Sequence, residues 1–170
     1  MNAAERREFV RSHRAAIFGY SRKKDGPSLT VVYYVMDGDD ILVSSTTPRS
    51  KTRAVVRNPK ISLCVLDESW PFAYLTVYCD ATVDATVESD LDAVVSLYKR
   101  IFGTILGREF DDSAAHDDVV EKAIKEERVV LRLKPYATFM TPPRPITSEA
   151  DIAPLVHLES TTMRGRARIW

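Results

Sequence analysis

A strict alternation of apolar and polar residues between Tyr74 and Asp84 is the feature that most limits the possible folds of this chain. A period of two residues is that of a β-strand, because successive side chains point to opposite faces of a sheet. The two faces comprise Leu75, Val77, Cys79, Ala81 and Val83 on one side and Tyr74, Thr76, Tyr78, Asp80, Thr82 and Asp84 on the other. A half-polar strand of this length is typical of a barrel wall, with one face in the core and the other toward solvent, a ligand or a partner subunit.

The rest of the chain supplies further strands for the same barrel. The run 29–36 is almost wholly apolar or aromatic, which predicts a strand covered on both faces. The sequence Asp-Gly-Asp-Asp at 37–40 predicts a tight hairpin turn after it. The remaining predicted strands cover residues 15–20, 41–45, 61–66, 128–133 and 137–140. Closely spaced strands of this kind predict a mainly β fold, a barrel of six to seven mostly antiparallel strands with accessory helices.

Helices are predicted where apolar residues recur at a spacing of three or four. The first covers residues 3–13, and a later one begins at Ser89 or Asp90 and ends at Gly103. The last helix has Asp112 or Ser113 as its predicted cap and Val119, Val120, Ala123 and Ile124 as its inward residues.

We expect one barrel domain over residues 1–141, followed by a C-terminal extension over residues 142–170. The extension is rich in Pro, Thr and Ser, which favours a loosely held segment. The alternative is an extension that reaches a neighbouring subunit or the mouth of the site.

Composition excludes several classes of function. Lys and Arg number 24 and Asp and Glu also number 24, so no basic field is expected to bind nucleic acid. No apolar run approaches the roughly 20 residues of a membrane-spanning helix. His13, His116 and His157 lie far apart, which predicts no metal site. Cys64 and Cys79 lack CxxC spacing and are expected to be reduced, as in a cytoplasmic protein.

The strongest functional signal lies between Ser44 and Pro59, where a helix is expected to begin at an N-cap, Ser50, and to end after Asn58. Cations crowd its first turn, although the helix dipole disfavours positive charge there. A compensating anion would resolve this conflict, and helix N-termini bind phosphate well. The residues concerned are the hydroxyls Ser44, Ser45, Thr46 and Thr47 and the cations Arg49, Lys51 and Arg53. The pattern therefore predicts a site for a phosphorylated ligand; a solvated turn before a surface helix is the alternative.

Several segments resemble the split-barrel flavin-binding family that includes pyridoxamine 5′-phosphate oxidase, and most closely its actinobacterial branch of deazaflavin (coenzyme F-420) dependent reductases. The resemblance covers roughly residues 9 to 140. The segments that carry it are LTVVYYVMDGDDILVSS, KTRAVVRNPKISLCVLD, YLTVYCDATV, LYKRIFG and EERVVLRLKPYATF.

The resemblance implies roles for particular residues. The cofactor phosphate would be held at the end of the second hairpin strand and the start of the next helix, and the ring would lie along the preceding strand at a homodimer interface. The implied phosphate residues are Ser44, Ser45, Thr46, Lys51 and Arg53, beside Arg49 and Ser50, and the implied ring residues are Thr30, Val31, Val32 and Tyr34, with Tyr74 a weaker candidate. The oxidase itself has an Arg where this chain has Ser50, and its C-terminal Trp and Arg pattern is absent, so pyridoxamine phosphate oxidation is not expected.

The resemblance implies hydride transfer from a reduced deazaflavin coenzyme to a small unsaturated or quinone-like substrate, with the chemistry supplied by the cofactor. No side chain is predicted to be catalytic. Additional cations that could follow the coenzyme's polyglutamate tail are Arg22, Lys23, Lys24, Arg49 and Arg57, which otherwise form a solvated loop. The alternatives are an FMN-dependent oxidoreductase of the same fold and a non-catalytic flavin- or haem-binding protein.

Overall fold

The computed structural model describes residues 1–67, 69, 73–110, 116–140 and 168–170. The elements in chain order are α1 (Ala3–Ser12), β1 (Ala15–Tyr20), β2 (Ser28–Asp37), β3 (Asp40–Thr46), α2 (Ser50–Arg57), β4 (Lys60–Asp67), β5 (Ala73–Thr86), α3 (Leu91–Leu106), α4 (His116–Lys125), β6 (Arg128–Phe139) and β7 (Arg168–Ile169). None of the helices within these ranges combines the length and the apolar character that a membrane crossing requires.

The strands form a closed antiparallel barrel. They are ordered β3-β2-β1-β4-β5-β6-β7, and a further pairing of β3 with β6 closes the first six into a ring. Every one of these pairings is antiparallel. The predicted mainly β barrel is therefore confirmed, including the hairpin turn at Gly38, whose φ of 61° suits glycine.

The barrel interior is an apolar core. On β5 the predicted inward residues Leu75, Val77 and Cys79 are fully buried, as the alternation requires. The helix α1 packs Val10 against this core, and the Tyr34 hydroxyl donates a hydrogen bond of 2.7 Å to the Val10 carbonyl oxygen. Burial of Tyr34 raises the pKa of its phenol well above the ordinary value, so Tyr34 is a neutral core residue.

A second apolar cluster lies outside the barrel, between the strands and the helices α3 and α4. Asp90, one of the two predicted caps, accepts a hydrogen bond from the Ala93 backbone N–H. The predicted end at Gly103 is wrong, because α3 continues to Leu106 and ends at Gly107, whose φ is 69°. Gly103 lies inside the helix, where an added Cβ would be 2.9 Å from the Arg108 carbonyl oxygen.

The prediction for α4 holds in part. Val119 and Ala123 are buried, but Ile124 is half exposed, so its predicted inward position is wrong. The predicted caps Asp112 and Ser113 lie outside the described residues.

The strand β2 is not covered on both faces within this chain, contrary to the prediction. Val32 and Tyr34 point into the barrel, whereas Leu29 and Val31 are 66% and 71% exposed and Tyr33 is 42% exposed. Because apolar residues occupy both faces of this segment, its sequence did not show which face the barrel would bury. The outward face forms an exposed apolar strip next to α3.

The two predicted closing strands are one continuous strand, β6. The pairing with β5 shifts register between Tyr78 and Cys79, which places Pro135 opposite Cys79 and Ala137 opposite Tyr78. A bulge of this kind accommodates a proline that cannot donate a backbone hydrogen bond. The proline therefore lies within the strand instead of ending it.

Only residues 168–170 of the predicted C-terminal extension are described. Ile169 pairs with Ala137 on β6, and its carbonyl oxygen accepts a hydrogen bond from the Arg6 guanidinium. The Arg7 guanidinium lies 6.0 Å from the centre of the Trp170 ring. The last residues thus contact both the barrel and α1.

Candidate functional site

The segment between β3 and α2 is held by hydroxyl groups. The Thr52 hydroxyl donates to the Thr46 carbonyl oxygen at 2.8 Å and lies 2.9 Å from the Ser45 hydroxyl. All three residues are buried, so these hydroxyls fix the entry into the helix. The predicted N-cap at Ser50 is wrong: Arg49 is the N-cap, and its side chain makes no capping hydrogen bond. The first turn of α2 therefore has no side-chain acceptor from its cap.

Lys51 is the most unusual charged residue of this turn. Its side chain is only 6% exposed, and none of the ion pairs and hydrogen bonds of the described residues involves it. Its Nζ lies 5.8 Å from the centre of the Phe18 ring. Burial, together with the neighbouring charge of Arg49, lowers the pKa of Lys51 below its ordinary value. The largely buried lysine has no carboxylate partner among the described residues, so an anion bound at its Nζ would stabilise its charge.

Lys51 opens onto a cavity of about 250 Å³ between the outer face of the barrel and α3. Five predicted site residues line this cavity, namely Val31, Val32, Ser44, Arg49 and Lys51. Tyr33, which belongs to the segment 30–34 that the resemblance places along the ring, lines it as well. Sequence reasoning did not identify the other lining residues, which are Tyr98, Ile101, Phe102, Ile105 and Arg128. The cavity therefore has cations at one end and aromatic and aliphatic walls provided largely by α3.

Arg128 is the main site residue that the sequence analysis missed. Its Nη1 donates to the Ser44 hydroxyl at 3.0 Å, and its Nη2 lies 2.6 Å from a carboxylate oxygen of Glu126. Its guanidinium carbon lies 3.8 Å from the centre of the Tyr98 ring, which is a stacking distance. The signal in the sequence was weak, because an arginine at the start of a strand is ordinary on a solvated face.

Two other predicted residues, Ser50 and Arg53, line a neighbouring groove of about 470 Å³. The rest of this groove is formed by Tyr20, Ser21, Arg22, Lys23, Val56 and Arg57. Two of its arginines have partners already, since Arg22 pairs with Asp25 at 2.7 Å and Arg57 donates to the Ser21 carbonyl oxygen at 2.6 Å. The predicted cations thus divide between two adjacent depressions on either side of the α2 N-terminus.

The remaining predicted residues do not line the cavity. Ser45 and Thr46 are buried in the junction with α2, and Tyr34 is in the barrel core. Thr30 pairs with Phe18 on β1, and Tyr74 pairs with Leu66 on β4.

Another cavity, of about 830 Å³, lies along a different face of α3 and is lined by none of the predicted site residues. Among the described residues there is no cluster of His, Cys, Asp or Glu that could hold a metal ion. The chemistry at the α2 N-terminus is thus that of binding: cations for an anionic group and an apolar wall for a flat ring.

Comparison with known proteins agrees with this geometry. The family model described as pyridoxamine 5′-phosphate oxidase matches residues 3–140. The structure of the conserved hypothetical protein Rv2991 from Mycobacterium tuberculosis is similar, with 17% identity, a TM-score of 0.69 and coverage of 88% of this chain and 94% of that one. An F-420 reductase matches with 21% identity, a TM-score of 0.56 and coverage of 77% and 93%. HutZ, a haem storage protein from Vibrio cholerae, matches with 16% identity, a TM-score of 0.54 and coverage of 78% and 89%.

These likenesses to solved structures show a shared fold, and they include both an enzyme and a storage protein. The family match spans most of the chain, including the whole barrel. The chain therefore belongs to the pyridoxamine 5′-phosphate oxidase family, whose members bind flavin-type cofactors.

Proposed function

We propose that this protein is a cytoplasmic, homodimeric oxidoreductase that uses a deazaflavin coenzyme to transfer a hydride to a small unsaturated or quinone-like substrate. The observation that carries the proposal is Lys51, a largely buried residue at an aromatic-walled cavity that has no anionic partner among the residues the structure describes. The free thiols Cys64 and Cys79 fit a reducing compartment.

The chain's own residues have three tasks in this proposal. Lys51 and Arg49 bind the coenzyme phosphate at the start of α2, where backbone N–H groups add to the attraction. Tyr98 and Phe102 supply the flat, apolar wall that excludes water from the ring. The deazaflavin, when bound, supplies the hydride chemistry, so no side chain has to carry it.

The groove beside the α2 N-terminus favours the deazaflavin coenzyme over FMN. The coenzyme continues beyond its phosphate into a polyglutamate tail, whereas FMN ends at the phosphate. Lys23 and Arg53 line the groove and have no carboxylate partner within the described residues. These two cations are placed to follow a chain of carboxylates leaving the site.

The exposed strip on β2 supports the proposed homodimer. Leu29, Val31 and Tyr33 form an outward apolar face beside the cavity, and large exposed apolar patches are typical of protein interfaces. In our proposal a second copy of the chain covers this strip and completes the site. Val31→Asp should give monomers in sedimentation and weaker coenzyme binding, whereas Val56→Asp, at an equally exposed position on α2, should leave the assembly unchanged.

The experiment that tests the proposed function is a titration of the purified protein with deazaflavin coenzyme, FMN and haem, followed by fluorescence quenching or absorbance. Micromolar or tighter binding of the deazaflavin with weaker binding of FMN is the expected result. Preference for FMN would make the protein an FMN enzyme, and binding of haem alone would make it a haem protein.

Binding alone does not establish catalysis, so the second step uses the reduced deazaflavin coenzyme with menadione as the acceptor. The expected result is oxidation of the coenzyme that increases in proportion to protein concentration. A rate equal to that of the protein-free mixture, across a panel of quinones and unsaturated ketones, would contradict the enzymatic proposal and leave a binding protein.

A further inference from the structure

We propose that Arg128 binds a carbonyl oxygen of the cofactor ring, whereas Lys51 binds the phosphate. This inference rests on the proposed function, because it assigns a second contact within the same site. It gives the two cations of one cavity different ligand groups to bind.

Arg128 is held in one orientation by three different parts of the chain. Its guanidinium donates to Ser44 on β3, pairs with Glu126 just before β6, and stacks on Tyr98 of α3. Its side chain is only 15% exposed. A planar guanidinium fixed in this way is pre-organised to meet a flat ligand.

The charge balance separates Arg128 from Lys51. The Glu126 carboxylate, 2.6 Å from Nη2, already compensates the positive charge of Arg128. No carboxylate among the described residues compensates Lys51, so Lys51 is the stronger attractor for a phosphate. The attraction of Arg128 for an anion is therefore weaker than that of Lys51.

What Arg128 does offer is an unused hydrogen-bond donor. Nη1 and Nη2 each carry two hydrogens, and the contacts with Ser44 and Glu126 account for one on each nitrogen. Because Arg128 lines the cavity, a remaining N–H is available to an acceptor on a ligand there. A neutral carbonyl oxygen suits such a donor, because the guanidinium charge is already paired.

The walls around Arg128 fit a ring better than a phosphate. Tyr98 lies against the guanidinium, and Ile101, Phe102 and Tyr33 line the same cavity. Apolar and aromatic surface of this kind binds the faces of a heterocycle and would leave a phosphate poorly solvated. The stacking of Arg128 on Tyr98 thus favours a ring beside this guanidinium.

The test compares ligands with and without the phosphate. Riboflavin and FMN differ only in the phosphate, whereas the riboflavin-like form of the deazaflavin coenzyme lacks both the phosphate and the tail beyond it, so the first pair isolates the phosphate and the second supports it. Affinities are measured by fluorescence quenching for the wild type, Arg128→Gln and Lys51→Met. We expect Arg128→Gln to weaken both members of each pair by the same factor, about three- to tenfold, as for one neutral hydrogen bond. Lys51→Met should weaken only the phosphorylated member.

A second measurement reports on the ring directly. Loss of a hydrogen bond to a ring carbonyl should shift the absorption band of the bound cofactor in Arg128→Gln but not in Lys51→Met. If Arg128→Gln does not fold, Arg128→Lys keeps the charge and removes the fixed planar donor, and it should show the same equal losses and the same band shift.

A loss confined to the phosphorylated ligands would overturn the proposal by placing Arg128 at the phosphate. Unchanged affinity and an unchanged spectrum would overturn it by removing Arg128 from the ligand altogether. A wild-type protein that binds none of the four ligands would instead contradict the proposed function, and the assignment of Arg128 with it.

Discussion

Arg128 and Arg132 lie four residues apart on β6 and on the same outer face, yet their surroundings differ. Arg132 meets three carboxylates, those of Asp37, Asp40 and Asp84, at 2.9 to 3.1 Å. At the start of the strand, Arg128 has a single carboxylate, that of Glu126, and shares its cavity with Lys51. The surroundings of Arg132 therefore have excess negative charge, and those of Arg128 have excess positive charge.

This difference separates a structural cluster from a binding site. Hydrogen bonds to Asp37 and Asp84 raise the pKa of Arg132 above its usual value, and the cluster joins the β2–β3 hairpin to β5 and β6. Lys51 has the opposite shift, since burial and Arg49 lower its pKa. Cations whose partners are complete hold the fold together, whereas cations without partners are available to a ligand.

The largest effect is expected when the cation without a carboxylate partner, Lys51, is replaced. Lys51→Met keeps much of the aliphatic stem and should weaken binding of phosphate-bearing cofactors by about 1.5–3 kcal/mol, as for a charged hydrogen bond. The midpoint of thermal unfolding should not fall, because the substitution removes a desolvated charge. Lys125→Ala, a charge change at an exposed site on α4, is the control for net charge. Unchanged affinity in Lys51→Met would mean that the phosphate binds elsewhere.

Removing the matched cation should have the reverse effect. Arg132→Met leaves three carboxylates facing one another and should lower the free energy of unfolding by about 1–2 kcal/mol, a value reduced for the partial exposure of the cluster. Urea denaturation at low salt measures this loss, and added salt should recover part of it. Cofactor affinity should stay at the wild-type value. A variant that binds more weakly but unfolds normally would reverse the roles given to Arg128 and Arg132.

The pH dependence of binding offers a smaller effect at the same lysine. Because the pKa of Lys51 lies below the ordinary 10.5, its charge is lost at a lower pH than that of a solvated lysine. Affinity for FMN or the deazaflavin coenzyme should therefore decline as pH rises through this lowered pKa. Titrations from neutral to alkaline pH measure the decline, and riboflavin and Lys51→Met are the controls. A decline of equal size for riboflavin would assign the titration to another group.

The smallest effect is expected when the carboxylate that pairs with Arg128 is removed. Glu126→Gln removes the paired carboxylate and should strengthen binding of phosphorylated cofactors by less than about 1 kcal/mol, because the ion pair is partly exposed. Glu127→Gln, an exposed neighbour, is the matched control. Calorimetry with FMN and riboflavin measures the difference, and weaker binding in Glu126→Gln would mean that the pair orients Arg128 more than it limits its charge.

The prediction of the barrel succeeded because its signals are local. The alternation along β5 and the turn at Gly38 each depend on a few consecutive residues, and both appear in the structure. The errors arose where a local signal was ambiguous. Gly103 and Gly107 are both plausible helix ends, and in the structure Gly107 adopts the left-handed conformation that ends α3, whereas Gly103 leaves room for the Arg108 carbonyl oxygen.

Only part of the candidate site could be predicted from the sequence, because only part of it has a signal in consecutive residues. The positive charges of Arg49 and Lys51 are unfavourable at the N-terminus of their own helix, and this can be recognised from three consecutive residues. Arg128 has no such local sign, because its partners Ser44 and Tyr98 are distant in the chain. The pairing of β3 with β6 brings Arg128 to Ser44, and the packing of α3 against the barrel brings Tyr98 to Arg128.

The sequence by itself determined a mainly β barrel and an excess of cations at the start of α2, since strand period and helix dipole act over a few residues. Only the tertiary structure decided which face of β2 is exposed and which cations remain without partners. A strand with apolar residues on both faces does not show in its sequence which face will be buried. Closure of the barrel decided this for β2, with Tyr34 inside and Tyr33 outside. Charge pairing likewise depends on side chains from separate strands and helices, which meet only after the chain has folded.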